Sequence, residues 1–412
     1  MMIRPKTILF LLKGGGILKK KPPLPSQSPG MQRQLEIYQH GVLGRKPDYP
    51  VRVEDLERDA RKRLSKESYD YVAGGAGGES TMVANRKAFE RWRIVPRHLR
   101  NVAERDLRVN LFGQNLGVPF LLAPIGVQGI IHPEGEVAVA KAAASLNVPL
   151  VLSTASSKTM EEVASAIDGT PHWFQLYWPK SVELARSFIK RAEVASYSAL
   201  VVTIDTLLFS WRERDLQNAY LPFLTGDGLA NYFSDPVFRS ALSKSPEKAP
   251  LEAVRHFAKV FSNPALSWED LQWLRKQTDL PIILKGILNP EDARKALRYG
   301  IDGIIVSNHG GRQVDGAVAA LDALPPIVKA VGKKTMVLFD SGIRRGSDVV
   351  KAMALGAKAV LLGRPYVWGL AVGGEQGVRH VLQNLIADID LTLGLSGYSS
   401  LSQLKGDAVI HD

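Results

Sequence analysis

A histidine and an arginine three residues apart form the pattern in this sequence that is best suited to chemistry. His309 and Arg312 lie in the polar segment 307–313, which directly follows the apolar run 303–306. Histidine titrates near neutral pH and acts as a general base, and the planar guanidinium of arginine binds carboxylates through two hydrogen bonds. The two glycines between them permit a sharp turn and a close approach to a flat ligand. The pattern indicates a site for a small organic acid, although an isolated pair of this kind usually lies in an ordinary turn.

Eight short apolar runs predict the strands that would position this segment. Each run ends in a polar or glycine-containing segment and is followed by a helical stretch. The runs end at Gly126, Thr154, Tyr177, Asp205, Gly286, His309, Asp340 and Arg364. Near-continuous apolar strands are typical of parallel sheets, and eight β/α units favour a closed (β/α)8 TIM barrel over a doubly wound sheet. We expect residues 36–412 to form this domain, with an N-terminal helical extension before the barrel and a long insertion, residues 206–266, after strand four.

The carboxyl ends of barrel strands meet at one mouth, where active sites lie. Polar side chains occur repeatedly at these ends, a distribution that favours one pocket: Ser153, Gln175, Tyr177, Thr203, Asp205, Lys285, Ser307, His309, Asp340 and Arg364. The segments after strands seven and eight contain glycines and arginines, which match the usual phosphate site of such barrels. Lys285 would place a positive charge near a ring that becomes anionic, as a reduced flavin does. No Gly-x-Gly-x-x-Gly follows a strand, so we expect FMN and not a nicotinamide dinucleotide.

The composition excludes several classes of function. The 412 residues contain no cysteine, which rules out disulfides and thiolate catalysis, and the eight histidines show no metal-ligand spacing, so we expect no metal. The net charge is +12, but seven basic and no acidic residues lie in residues 1–35, which leaves only +5 on the rest. A weakly basic body suits an anionic substrate or a phosphorylated cofactor better than nucleic acid. No apolar run reaches the roughly 18 residues that a membrane span needs.

Residues 1–35 are rich in lysine, glycine and proline, a composition that predicts a disordered basic leader outside the fold. We expect a cytoplasmic protein. The alternative is a mitochondrial protein, if the leader is a transit peptide.

Four of these segments together resemble the family of FMN-dependent α-hydroxy acid dehydrogenases and oxidases: 307–313, 285–286, 340–345 and 363–365. The resemblance covers about residues 36–400. Within the family, five further segments are most similar to lactate 2-monooxygenase: 123–127, 211–215, 231–238, 262–264 and 369–374. The resemblance implies FMN as cofactor, O2 as oxidant and a homo-oligomer, a tetramer or octamer.

The resemblance also implies roles for the matching residues. His309 would be the base, oriented by Asp205; Arg212, Arg312 and Tyr71 would bind the substrate carboxylate, and Tyr177 would bind its hydroxyl. FMN would be held by Ala123, Pro124, Ile125, Gly126, Ser153, Gln175, Thr203, Lys285, Ser307, Asp340, Gly342, Arg344, Gly363 and Arg364. Whether His309 removes the proton from the substrate carbon or from its hydroxyl stays open.

The implied reaction oxidises L-lactate or a similar short 2-hydroxy acid to the 2-oxo acid. If the insertion acts as a lid, trapped peroxide would convert pyruvate to acetate, carbon dioxide and water. Gly126 matches the monooxygenase-like members, whereas alanine is typical of the oxidases. The alternatives are an oxidase that releases pyruvate and peroxide, a quinone-linked L-lactate dehydrogenase, and a non-catalytic barrel that binds a phosphorylated metabolite.

Overall fold

The computed structural model describes residues 28–167 and 169–412. Most of the predicted leader, residues 1–27, and with it the basis of the mitochondrial alternative, lies outside this range. Helix α1 (Pro29–Val42) begins inside the predicted leader, so the prediction of disorder is wrong for residues 29–35. The side chain of Ser28 accepts a hydrogen bond from the backbone of Met31, and Pro29 occupies the first turn, where its missing N–H is not needed. Because the surrounding residues are basic and proline-rich, the N-cap Ser28 and the following Pro29 did not predict a helix start.

The predicted helical extension precedes the barrel. Its elements are α1, α2 (Val53–Arg63), α3 (Lys66–Ala73), α4 (Ser80–Arg91), β1 (Trp92–Ile94), β2 (Val109–Leu111) and β3 (Gln114–Leu116). Strands β2 and β3 pair with each other in antiparallel orientation.

Eight parallel strands form a closed barrel, as predicted. They are β4 (Phe120–Leu122), β5 (Leu150–Ser153), β6 (His172–Leu176), β7 (Leu200–Thr203), β8 (Ile282–Ile287), β9 (Gly303–Val306), β10 (Met336–Phe339) and β11 (Val360–Leu362). Neighbours in sequence are neighbours in the barrel, and β11 closes on β4 with Val360 opposite Phe120. The final strand β12 (Val409–His411) pairs with β1 outside the barrel.

Helices follow the strands. Those before the insertion are α5 (Gly135–Ala144), α6 (Met160–Ala166) and α7 (Val182–Val194); between β7 and β8 lie α8 (Glu213–Gln217), α9 (Ala230–Phe233), α10 (Pro236–Ser240), α11 (Pro250–Phe261) and α12 (Asp270–Arg275). The last four are α13 (Pro290–Arg298), α14 (Ala320–Val331), α15 (Gly346–Ala354) and α16 (Arg364–Leu395). Within the described residues, no helix is long and apolar enough to cross a membrane.

The barrel interior is closed at its N-terminal end. All eight strands contribute to one inner cluster: Leu121, Val151, Trp173, Val201, Ile283, Ile305, Leu338 and Leu361. Leu111 and Leu116 of the β2–β3 hairpin belong to the same cluster, and the Phe112 ring lies 5.7 Å from that of Trp173. Because apolar side chains fill the N-terminal end, the space available to a ligand is at the C-terminal mouth, where the polar residues at the strand ends lie.

The segment predicted as an insertion, residues 206–266, is folded and packed. The ring of Phe257 in α11 lies 4.9 Å from that of Tyr232 and 4.9 Å from that of Phe261, and all three side chains are buried. The insertion therefore contributes to the core. Its role as a moving lid stays a prediction.

The long helix α16 connects the barrel to the N-terminal extension through a buried carboxylate. Asp390 accepts hydrogen bonds from Nε and Nη2 of Arg105 (2.8 and 2.9 Å) and from the backbone of Gly30 in α1 (3.1 Å). The side chain of Asp390 is almost completely buried, as is that of Arg105. Removing one partner of such a pair leaves an uncompensated buried charge.

We therefore expect Asp390→Ala to lower the free energy of unfolding by about 3 kcal/mol, because Arg105 would remain buried without its carboxylate. Urea unfolding followed by circular dichroism measures the change. The matched control is Asp106→Ala, which removes the exposed pair with Arg108 and should have little effect. Equal midpoints for the two variants would contradict the role of Asp390.

Candidate active site

His309 and Asp205 form a hydrogen-bonded pair at the open end of the barrel. His309 follows β9, Asp205 follows β7, and Nδ1 of His309 lies 2.8 Å from Oδ1 of Asp205. Burial lowers the pKa of His309 more than the Asp205 carboxylate raises it, and the charge of Lys285 lowers it further. The imidazole is therefore neutral near pH 7. Because Nδ1 faces the carboxylate, Nε2 is the nitrogen left to accept a proton.

Asp205 remains ionised although it is largely buried. Burial raises the pKa of its carboxyl group, but the adjacent His309, the charge of Lys285 and a hydrogen bond from Thr206 lower it to a greater extent. The hydroxyl of Thr206 donates this bond at 3.0 Å. Gly286 leaves the space for this carboxylate, since a Cβ atom there would lie 2.7 Å from Cβ of Asp205.

Side chains hold the loop of His309 in an uncommon backbone conformation. His309 has a φ of +58°, a value that few non-glycine residues adopt. Its N–H donates to Oγ of Ser307 (3.0 Å), and Oδ1 of Asn308 accepts the N–H of Gly311 (3.1 Å). Asn308 also exchanges two amide hydrogen bonds, of 2.8 and 2.7 Å, with Asn85 of α4. The N-terminal extension thereby positions His309.

A buried ion pair lies close to His309 and Asp205. Nζ of Lys285 in β8 is 3.1 Å from Oδ2 of Asp340 after β10 and donates to Oγ of Ser307 at 3.0 Å. Burial alone would lower the pKa of Lys285, but the carboxylates of Asp340 and Asp205 raise it above its usual value. The ammonium group is therefore retained within the cavity wall.

Two adjacent guanidiniums form a second charged group. Arg312 donates to the carbonyl oxygens of Tyr71 (2.6 Å) and Gly74 (2.8 Å), and its guanidinium lies over the Tyr71 ring, 5.2 Å from the centroid. Arg212 donates from Nε to the carbonyl oxygen of Arg312 (3.2 Å) and from Nη2 to Oε1 of Gln313 (3.0 Å). Burial and the charge of Arg212 lower the pKa of Arg312 to about 10. A bound carboxylate would relieve this repulsion.

Two further buried arginines follow β10 and β11. Arg344 donates to the carbonyl oxygen of Ile343 (3.0 Å), and Arg364 to those of Val72 (2.9 Å) and Gly74 (2.8 Å). Burial lowers the pKa of Arg344 to about 10; burial and the charges of Arg312 and Arg344 lower that of Arg364 well below its usual range. Neutral carbonyls compensate these charges poorly, so the position suits a phosphate.

The donor set fits a flavin mononucleotide. The arginines after β10 and β11 suit its phosphate and the ammonium of Lys285 suits its ring. At the end of β6, Nε2 of Gln175 is buried and has no hydrogen-bond partner within the described part of the chain. Its Oε1 already accepts the hydroxyl of Ser153 at 3.0 Å. An unpaired buried amide donor is costly, and an acceptor on a bound ring would satisfy it.

One cavity connects these groups. It contains about 1050 Å3 of empty space, part of it open to solvent. The predicted residues that line it are Tyr71, Ala123, Pro124, Ile125, Gly126, Tyr177, Arg212, Lys285, His309, Arg312, Asp340, Gly342, Arg344, Gly363 and Arg364. The other predicted residues lie in or directly after the strands beneath this wall: Ser153, Gln175, Thr203, Asp205 and Ser307. The structure therefore brings all of them to the C-terminal mouth.

Three phenylalanines of the insertion line the cavity and were not predicted. Phe209, Phe223 and Phe261 form an aromatic wall in which the rings of Phe209 and Phe261 stack at 5.4 Å. The phenol ring of Tyr177 lies 5.3 Å from that of Phe261. Burial raises the pKa of Tyr177, so its hydroxyl remains protonated and can donate. Phe209 and Phe223 lie outside the α-helices of the insertion, so no periodicity indicated that they point inward. Phe261 is the last residue of α11, whose buried apolar face does not by itself indicate a cavity.

Ala155 after β5 also lines the cavity and faces Gly126. A Cβ atom on Gly126 would lie 2.7 Å from the carbonyl oxygen of Ala155. The absence of a side chain at position 126 thus has a packing cause. Ala155 lies two residues after the end of β5, and this position in the sequence could have predicted that it lines the cavity.

Comparisons with known proteins identify the family. The model of the FMN-dependent dehydrogenase family matches residues 60–411. An FMN-dependent alpha-hydroxy acid dehydrogenase of Penicillium citrinum is 46% identical, over 91% of this chain and 94% of its own length. An L-lactate oxidase of Lysinibacillus sphaericus is 44% identical, over 87% and 92%. The crystal structure of a mandelate oxidase aligns with a TM-score of 0.77 at 41% identity, over 88% of this chain and 98% of that one.

The chain belongs to the family of FMN-dependent α-hydroxy acid dehydrogenases and oxidases. It is accordingly an FMN-dependent 2-hydroxy acid oxidoreductase. The cofactor and the enzyme class predicted from the sequence are confirmed. The roles of individual site residues stay predictions.

The pair of Asn85 and Asn308 predicts a long-range effect on the base. We expect Asn85→Ala to lower the free energy of unfolding by about 3 kcal/mol, because it leaves buried polar groups unpaired, and to reduce kcat about tenfold as His309 loses its position. Asn110→Ala, which breaks the exposed amide pair with Asn115 (2.8 Å), is the matched control for both measurements. An unchanged kcat in the folded Asn85 variant would contradict the positioning role.

The pKa shifts predict the effect of Asp205 on pH dependence. The Asp205 carboxylate raises the pKa of His309, so Asp205→Asn should move the acidic limb of the kcat/KM profile to lower pH. The maximal rate should also fall, because the imidazolium loses its counter-ion. Profiles of kcat/KM against pH for both forms test the direction. An acidic limb that stays in place or moves to higher pH would show that Asp205 does not raise the pKa of His309.

Proposed function

We propose that this enzyme is an L-lactate 2-monooxygenase, which oxidises L-lactate or a close short 2-hydroxy acid and converts the trapped product to acetate. Arg212 and Arg312, with Tyr71, bind the substrate carboxylate. Tyr177 donates to the substrate hydroxyl or to the carbonyl formed from it. We further propose that the chain acts as a homo-oligomer, as the sequence resemblance implies.

His309 removes a substrate proton. Its neutral imidazole is the required starting form, and the carboxylate of Asp205, 2.8 Å from Nδ1, stabilises the imidazolium that results. FMN held in this cavity would supply the two-electron redox chemistry, with O2 as the final acceptor and hydrogen peroxide as its product. The retained charge of Lys285 stabilises negative charge that develops beside it.

The observation that carries the monooxygenase proposal is the aromatic wall that the insertion adds to the cavity. Phe209, Phe223 and Phe261 line it with apolar rings, and the segment at Gly126 lies against Ala155 without room for another atom. Closure of the remaining opening over bound substrate would keep pyruvate and peroxide together and exclude water. A peroxide oxygen adds to the keto carbon of pyruvate, the bond to the carboxylate carbon and the O–O bond break, and acetate, carbon dioxide and water form.

An L-lactate oxidase is the second candidate. It uses the same residues for the first half of the reaction but releases pyruvate and peroxide. Relatives with the name L-lactate oxidase, 44% and 45% identical to this chain, support it. The two candidates differ only in whether peroxide leaves the cavity before it reacts.

Product analysis under air with L-lactate decides between them. We expect one acetate and one carbon dioxide for each lactate consumed, with little peroxide. The assay contains catalase in one arm, which destroys released peroxide but cannot reach peroxide inside the cavity. Acetate that disappears in this arm, or pyruvate and peroxide in equal amounts, would reject the monooxygenase and favour the oxidase.

A further inference from the structure

A buried carboxylate that takes no part in the proposed chemistry lies behind the cavity wall. Glu136, at the start of α5, is 1% exposed. No ion pair involves it within residues 28–167 and 169–412. Burial raises the pKa of its carboxyl group, and hydrogen bonds from backbone N–H groups oppose this increase. A buried carboxyl group without a cationic partner is destabilising unless hydrogen bonds compensate for its lost hydration.

Glu136 joins the two loops that meet at Gly126. Its Oε1 accepts the N–H of Gln128, in the loop after β4, at 3.1 Å and the N–H of Ser157, in the loop after β5, at 3.0 Å. The hydroxyl of Ser157 accepts the N–H of Gly129 at 2.9 Å, which adds a second connection. One carboxylate oxygen therefore fixes the spacing between the loops.

The connection continues to the residues that line the cavity. Nε2 of Gln128 donates to the carbonyl oxygen of Ile125 (3.0 Å) and to the hydroxyl of Tyr366 (3.1 Å), and this hydroxyl donates to the carbonyl oxygen of Ala123 (2.9 Å). Gln128 and Tyr366 are both buried. Glu136 thus acts through Gln128 on segment 123–128, in which residues 123–126 line the cavity.

Segment 123–128 needs such support because its backbone is strained at Val127. Val127 has a φ of +61°, which is rare for a β-branched residue. Its N–H donates to the carbonyl oxygen of Ala155 at 2.8 Å, the same oxygen that excludes a methyl group from Gly126. If the two loops separated, this hydrogen bond would break and the cavity wall would open beside Gly126.

We propose that Glu136 is a positioning residue that holds segment 123–128 against Ala155 and thereby determines how much pyruvate is converted to acetate before it leaves. The inference rests on the proposed function. Glu136 touches neither substrate nor cofactor and acts through the spacing of the two loops. A wall that opens beside Gly126 lets peroxide and pyruvate escape separately.

Two variants at this position separate the role of the acceptor from that of the charge. Glu136→Gln keeps an oxygen that can accept both N–H groups, whereas Glu136→Ala removes it. We expect the alanine variant to raise the ratio of pyruvate to acetate about tenfold, to weaken FMN binding by a similar factor, and to change the visible circular dichroism of bound FMN. The glutamine variant should stay within about twofold of the unmodified enzyme.

Asp390 provides the control for a general loss of stability, since its carboxylate is also almost completely buried and accepts a backbone N–H group, that of Gly30, but connects α16 to α1 and not the loops at Gly126. Asp390→Ala should lower stability but leave the product ratio unchanged. A ratio that rises equally in Asp390→Ala and Glu136→Ala would mean general loosening and would overturn the proposal. So would a destabilised Glu136→Ala with an unchanged ratio.

Two further measurements keep the test decisive. If Glu136→Ala does not fold, Tyr366→Phe removes the hydroxyl that binds Ala123, and an unchanged ratio and dichroism in that variant would overturn the proposal. Acetate from the unmodified enzyme is measured first. Its absence rejects the proposed function, and FMN affinity and dichroism of the Glu136 variants then decide the positioning role alone.

Discussion

The ion pair between Lys285 and Asp340 determines the charges at the mouth of the barrel. Burial alone would favour a neutral amine at Lys285, but Asp340, 3.1 Å away, and Asp205 raise its pKa. The retained ammonium in turn lowers the pKa of both Asp205 and His309. A carboxylate and a neutral imidazole can therefore lie 2.8 Å apart in a buried site, each in the protonation state that proton abstraction requires. The protonation state of His309 therefore depends on a cation with which it forms no hydrogen bond.

Three loops at the mouth of the barrel each contain a non-glycine residue with a strained backbone. Val127, His309 and Ser341 have φ values of +61°, +58° and +84°, and each such residue costs roughly 1–3 kcal/mol. Each is held by hydrogen bonds: the hydroxyl of Ser341 accepts the N–H of Gly310 (3.0 Å) and donates to Asp340 (2.8 Å). The strands below are short, parallel and buried on both faces. A rigid barrel with strained loops keeps the reactive groups in place before any ligand binds.

The sequence predicted the barrel well because each strand is a nearly continuous apolar run, and it located most of the site because polar residues follow those runs. It did not reveal features that depend on distant partners or lack a periodic pattern. Asn85 is 223 positions from Asn308, and no local pattern marks the contact. The β2–β3 hairpin has strands of only three residues. Phe209 and Phe223 of the aromatic wall lie outside the α-helices of the insertion, and the start of α1 lies in a basic, proline-rich stretch that did not predict a helix.

The glycine at position 126 is explained by its neighbour in space. A Cβ atom there would lie 2.7 Å from the carbonyl oxygen of Ala155. An alanine would therefore force the loop after β5 to move, and the 2.8 Å hydrogen bond from Val127 to that carbonyl would have to lengthen or break. A chain with alanine at this position would therefore have to space the two loops differently. If the proposed function is right, the fate of peroxide should depend on the distance between the loops, which involves both position 126 and the hydrogen bonds of Glu136.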